Sequence, residues 1–424
     1  MARYEFRFRR TIKQYSYRQR FKGLKSNEQT KLRKYKQVLL ALLTKKKMGE
    51  QSGSPIDDKL ARILKAVSAC YLSIVHDSGE TAETRPSWGR TLDSFSASDC
   101  WIYFRFCKVE MRELITLLHL PRECQFDNRT KMSGEEIILR GLYELVSGGN
   151  QETTCSTVFG GEQSLQSRAS NYFITHVYDT FQHLVHDNLG WWHRNGFFET
   201  SANAIGNKLG IVGNLVAVFI DCNCLPTSVV GGGPTDDGAN SLRWSDVIQR
   251  AFYNGWKSIH GLKHQSINDA FGFTWDLFGP TALRRNDNKL YRDSDINDRF
   301  AAVQILSLLQ FIIFGDTAYH KKSHTTSYHK ACDMIENFKD WNRRMKSVRI
   351  SIEWDYGYTA TLFRYICNKQ KLKLLRGKST SKVYTVCTIL RNIHTGYYGC
   401  QTSNYFNLVV PDNFVYAYLT QTDL

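Results

Sequence analysis

No stretch of this 424-residue chain reaches the ~18–20 uninterrupted apolar residues that a membrane span requires. The nearest approach, residues 301–314, contains Gln304, Ser307 and Gln310. The N-terminal apolar run, residues 38–43, is too short for the core of a signal peptide. Paired cysteines are also missing. The 11 cysteines are odd in number and include no Cys-x-x-Cys, which predicts reduced thiols in cytosol or nucleus rather than a secreted disulfide framework. Cys222 and Cys224 form only a Cys-x-Cys, a weak basis for zinc. Acidic residues are scarce at the two ends. Residues 1–47 hold 16 Lys and Arg against 2 acids, a local charge of +14, and residues 364–424 hold 8 against 2, which is +6. The stretch between them has 32 against 36, so the net +16 describes two basic ends on a slightly acidic body. The whole chain, 42% hydrophobic and 13% aromatic, is neither wholly disordered nor fibrous, and its length predicts two or three domains.

Along the chain, residues 1–47 read as a basic arm interleaved with aromatics, disordered or a lone helix when unbound. Residues 48–98 read as a linker with a short helix over 57–75. Residues 99–212 carry helical text. Phe104, Phe106, Met111, Leu114 and Leu117 predict one helix, closed by Pro121. Ser133 three residues before Glu136 predicts a capped start for a helix over 137–146. A short helix at 153–159, a Gly160-Gly161 turn and a longer helix at 164–184 have the order of a helix-turn-helix, with Gln163, Ser164, Gln166 and Arg168 placed to meet DNA; an ordinary helical subdomain has the same pattern.

The pattern changes near residue 213. The run 215–220 (LVAVFI) predicts a buried strand ending in Asp221, and 309–314 predicts another ending in Gly315-Asp316. Residues 258–268 and 273–278 predict an antiparallel pair around a turn at 269–272. Short helices are expected at 295–303 and over 330–348. A carboxylate beside a buried strand is unfavourable unless something neutralises it, and carboxylate oxygens suit hard ions such as Mg²⁺. Glu353, in an apolar stretch 37 residues after Asp316, is the best third ligand, with Asp355 and Glu336 as competitors. Lys257, His260 and Lys263 stand on or beside the predicted hairpin, either steadying phosphates or simply facing solvent. His320, His324 and His329 invite a zinc reading, against which their irregular spacing and the lack of a cysteine pair favour loop histidines, and Trp191, Trp244 and their neighbours read as packing aromatics, with a DNA wedge as the alternative.

These segments carry a resemblance. VAVFIDC (216–222), FIIFGDTAY (311–319) and RISIEWDYGY (349–358) resemble the three catalytic blocks of PIF/Harbinger-type DDE transposases. FYNGWKSIHGLKHQSINDAFGF (252–273) resembles that family's hairpin, and VCTILRNIHTG (386–396) its last helix. Residues 279–295 depart from the family's Pro-Gly-Ser-x-His-Asp-like segment, with Asn286-Asp287 its nearest echo. The resemblance implies an α/β, RNase H-like (retroviral-integrase-like) mixed sheet flanked by helices over 213–365. An all-α helix-turn-helix region and the basic arm would precede it, and a basic helical extension over 366–424 would follow. It implies that Asp221, Asp316 and Glu353 bind two Mg²⁺ (or Mn²⁺) ions for cleavage at transposon ends and strand transfer. It also implies double-stranded DNA as partner, a homo-oligomer on that DNA, a Myb-like accessory protein and a nuclear location. Lys31, Arg33 and Lys34 are the expected arm contacts, within a basic run that also reads as an import signal or a solvated helix. A domesticated DNA-binding protein without cleavage activity, an RNA- or protein-binding scaffold and a small-phosphoester hydrolase stand as alternatives.

Overall fold

A computed structural model describes residues 90–148, 158–228, 249–329, 336–368, 372–373 and 379–424. The chain divides into residues 1–85 and 86–424, and everything described belongs to the second unit. The expected arm contacts Lys31, Arg33 and Lys34, the helix at 57–75, most of the short helix at 153–159 and Trp244 lie outside the described residues.

The region before the sheet opens with α1 (Ala97–Phe104) and α2 (Lys108–Leu117). One helix was expected here; the chain breaks at Arg105, which adopts φ +68°. The cause is packing. At ~100° per residue, Phe104 and Phe106 would point to nearly opposite sides of a continuous helix, and the break lets both bury completely. A small hairpin, β1 (Glu123–Gln125) and β2 (Lys131–Ser133), leads into α3 (Gly134–Ser147). Ser133 Oγ accepts from Glu136 N at 3.2 Å, as the capping pattern predicts. The Glu136 carboxylate turns inward to Arg140 at 2.8 Å instead of returning to the cap. α4 (Gln163–Phe181) packs on α3, and α5 (Phe197–Leu209) follows after two short helical turns.

The sheet is built from β3 (Val216–Pro226), β4 (Tyr253–Asn254), β5 (Ile259–Asp269), β6 (Thr274–Ala282), β7 (Ile312–Gly315) and β8 (Thr325–Ser327). Its order is β6-β5-β3-β7-β8, with β4 beside the first two residues of β5. The β3–β5 and β5–β6 pairs are antiparallel; β3–β7 and β7–β8 are parallel. The apolar run 216–220 is continuous because β3 is central and buried on both faces, at 0–1% exposure throughout. This curled mixed sheet flanked by helices is compatible with an RNase H-like DDE fold.

After the sheet's hairpin come α6 (Asp287–Asp293) and α7 (Ile296–Ala302), then, beyond β8, α8 (Glu336–Arg349), α9 (Ser351–Leu362), α10 (Thr380–Tyr398) and α11 (Phe414–Thr420). α10 lies against β6, where Asn392 bonds both the N–H and the C=O of Thr274 at 3.0 and 2.8 Å. α11 closes an aromatic core in which Phe414 stacks on Phe273 at 4.2 Å and Trp192 on Trp275 at 5.6 Å. Trp191 and Trp192 are buried there, which excludes the wedge alternative for this pair.

Candidate active site

Strand register brings the first two carboxylates together. On the parallel strands β3 and β7, Phe219 stands opposite Phe314. Asp221 follows two residues later within β3, and Asp316 lies one residue past the end of β7, near enough for its charge to act on the Asp221 carboxyl. The sheet here is covered by α8 and α9, because Phe219 and Phe314 share a buried cluster with Met345, Val348 and Ile352. Residues 345, 348 and 352 form the apolar stripe of the helix pair; Arg349 and Glu353, one position beyond Val348 and Ile352, fall on its rim, facing Asp221. Asp221 departs from expectation in one respect. It lies inside β3, not at its end, since backbone pairing with β5 continues through Pro226.

Arg349 ties the site together. Its Nη1 donates to Asp221 Oδ2 at 2.8 Å, its Nη2 stands 3.8 Å from Glu353 Oε1, and its Nε donates to Tyr328 Oη at 3.1 Å. Burial pushes the Asp221 carboxyl above its ordinary value, the Arg349 charge pulls it back, and the nearby Asp316 charge adds to the rise. Asp316 Oδ1 accepts from Ala318 N at 2.8 Å, closing the turn after β7. Glu353 is more than half exposed.

Asp221 and Glu353 open into a cleft of about 460 Å³. The cleft exists because β7 stops pairing with β3 at Phe219, while β3 runs on as a ribbon with β5 alone. Cys222, Asn223 and Cys224 line it from β3, Asn254, Trp256 and Lys257 from the β4–β5 turn, and Lys263 and Asp287 from the far side. Lys263 is not a solvent-facing residue. It is 7% exposed, and its Nζ donates to Asp287 Oδ1 and the Arg285 carbonyl, both at 2.7 Å. Lys257 Nζ donates to Cys224 Sγ at 3.3 Å, and His260 packs on Tyr253 at 4.9 Å between ring centres. The cysteines serve as cleft wall: Cys222 Sγ lies 3.4 Å from Tyr319 Oη.

Both competitors for the third position lie elsewhere. Asp355 is 2% exposed and accepts from Asn268 Nδ2 at 2.9 Å and Thr402 Oγ1 at 2.7 Å. Glu336 pairs with Lys339 on the exposed start of α8. His324 bonds Gln310 and Ser323, His329 stacks on Phe338, and His320 is exposed, so the three do not converge. On α4, Gln163 and Ser164 are exposed and Arg168 half-buried, whereas Gln166 is buried and bonded to the Arg140 carbonyl and Glu144, which removes it from any surface contact. Of the cleft lining, Asn223, Asn254, Trp256, Tyr356 and the role of Asp287 as the Lys263 partner went unnoticed in the sequence, as did Arg349 beside it.

Carboxylate oxygens on a strand, a strand end and a helix are the donor chemistry that suits a hard divalent ion. The half-buried Asp221 already draws a cation, the Arg349 guanidinium, to its Oδ2 edge. Among the described residues no three His, Cys, Asp or Glu side chains stand close enough to share one ion, and the guanidinium lies between two of the three carboxylates.

Comparison with known proteins adds an independent line. Residues 242–392 match the family model of the DDE superfamily endonuclease, a span that contains Asp316 and Glu353 and begins after Asp221. No curated protein and no solved structure matches the chain. Over β4 to β8 and α6 to α9, but not over β3 with Asp221, the chain is thus similar to DDE superfamily endonucleases, which supports a DDE transposase-like nuclease.

Proposed function

We propose that the protein is a metal-dependent DNA nuclease of the transposase type, of PIF/Harbinger character, with Asp221, Asp316 and Glu353 as its acidic triad. The observation that carries this reading is the meeting of Asp221 and Glu353 through Arg349 at one cleft, with Asp316 just past the end of the next strand. DDE superfamily nucleases generally use divalent metal ions. When bound, a pair of Mg²⁺ or Mn²⁺ ions supplies an activated water and stabilises the leaving 3′ oxygen of a phosphodiester.

The chain's own residues define the rest. Asp221, Asp316 and Glu353 would hold the ions, and Arg349 compensates the half-buried Asp221 carboxylate. A guanidinium at this place also suits a phosphate oxygen, bidentate and always charged. Lys257, which lines the cleft, would hold a neighbouring phosphate. Lys263, locked to Asp287, shapes the far wall instead of meeting DNA directly. Strand transfer by the freed 3′-OH, terminal-repeat and target DNA as substrates, a Myb-like partner, homo-oligomerisation and a nuclear location belong to the same proposal and rest on the sequence resemblance.

A nicking assay on a DNA duplex separates this reading from a domesticated, non-cleaving DNA-binding protein. Cleavage that appears with Mg²⁺ or Mn²⁺ and vanishes with EDTA is the expected result. Tight binding with no cleavage under any divalent ion would establish the DNA-binding alternative.

A further inference from the structure

Trp256 is 94% exposed, whereas Trp191, Trp192 and Trp275 are buried to 2% or less. It stands at the tip of the β4–β5 hairpin, on the wall of the cleft that holds Asp221 and Glu353. An indole face left in water on the wall of this cleft is open to a planar ligand.

The hairpin tip is held in place before any ligand arrives. Asn254 Oδ1 accepts the Lys257 N–H at 3.0 Å, and its Nδ2 donates to the Leu283 carbonyl at 3.2 Å, so one side chain closes the turn and anchors it to the sheet. Ser258 leaves the turn at φ +52°. Lys257, between Trp256 and Ser258, is tethered to Cys224 on the cleft wall. A rigid turn that presents a bare aromatic face with a cation at its side matches a nucleotide: the ring stacks on a base and the ammonium meets its phosphate. A base can offer its face only after leaving its own stack.

We infer that Trp256 is a stacking platform for an unpaired nucleobase next to the phosphate that enters the cleft. This makes it a positioning residue that favours frayed or distorted duplex over regular helix. The inference rests on the nuclease reading above for its substrate.

The test uses the full chain in EDTA and two DNA duplexes of one sequence, one fully paired and one forked, with 2-aminopurine at the fork. Wild-type protein is expected to quench the 2-aminopurine and to bind the forked duplex about 5- to 150-fold more tightly, the range that stacking of one base supplies. Trp256→Ala should lose both effects, Trp256→Phe should keep part of them, and circular dichroism should be unchanged because the side chain is exposed. Asp316→Ala should keep both. Equal quenching and equal fork preference in Trp256→Ala would overturn the inference, as would failure of the wild type to distinguish the duplexes. If the Trp256 effects appear but the wild type cuts no DNA with Mg²⁺ or Mn²⁺, the platform stands and the nuclease reading falls. If cleavage of the forked duplex is normal in Trp256→Ala, the platform falls and the nuclease reading stands.

Discussion

Arg349 shows how much of the site's chemistry depends on a single side chain. Asp221 sits where burial raises its pKa, and the guanidinium 2.8 Å away is the charge that opposes the rise. Removing it leaves a mostly buried carboxylate short of its partner, a loss typically of ~1–3 kcal/mol. Arg349→Ala is therefore expected to lower the melting temperature in EDTA, and added Mg²⁺ should raise it by more in the variant than in the wild type. Thermal denaturation with and without the ion reads both effects. An Arg349→Ala protein as stable as wild type in EDTA would show that the pair contributes nothing. Nothing in the sequence pointed to Arg349, because an ion pair between residues 221 and 349 leaves no periodic pattern. Trp256 escaped for a related reason: composition reads a tryptophan as core, and only the exposed hairpin tip says otherwise.

Elements, more than residues, were legible in advance. The apolar run of β3 and the Asp269–Gly272 turn between β5 and β6 follow from local pattern, since a doubly buried strand and a glycine at φ +87° both leave strong signals. Where Asp221 falls within β3 was not legible. Its burial pattern changes at 221, but the hydrogen-bond ladder with β5 does not, and a ladder has no sequence signature. The break at Arg105 and the helix α6 were missed because packing, not propensity, decides them. The α9 helix also separates two acids that sequence alone left in competition. Glu353 faces the cleft and Asp355 faces the core, where two side-chain donors hold it. Asp355→Ala should cost several times more stability than Glu353→Gln, about 2 kcal/mol or more against a few tenths, measured by urea denaturation. At the other end of the β5–β6 turn, burial pushes the Asp269 carboxyl up to about 8, although it accepts from Phe273 N and Trp275 Nε1. A carboxyl whose folded pKa lies above its unfolded 3.8 favours folding while protonated, and that contribution is lost as pH rises toward 8. Stability should accordingly fall across this window, and Asp269→Asn should flatten part of the slope in a pH series of melting curves.

Across the whole molecule, the +16 charge is less uniform in purpose than its total suggests. The basic C-terminal stretch includes Arg391, which is 1% exposed and bonds the Gly272 carbonyl and Thr274 Oγ1, so it serves as a buried counter-charge to Asp355 and Asp269, not as a DNA contact. The +14 of residues 1–47 is the larger basic reserve and the proposed DNA grip. If that arm neutralises ~6–10 phosphates, affinity falls ~10³–10⁵-fold between ~50 and ~200 mM salt, and deleting the arm flattens the dependence; fluorescence anisotropy across a salt series reads the slope. In the proposed function, an acidic triad of Asp221 on β3, Asp316 just past β7 and Glu353 on α9 cuts DNA while basic segments hold it. Its most direct measurement is the Mg²⁺-dependent cleavage rate of Glu353→Gln beside its DNA affinity in one preparation. Loss of a ligand worth several kcal/mol in the transition state predicts a rate at least ~10²–10³-fold lower with affinity nearly unchanged. Cleavage at the wild-type rate would contradict the assignment.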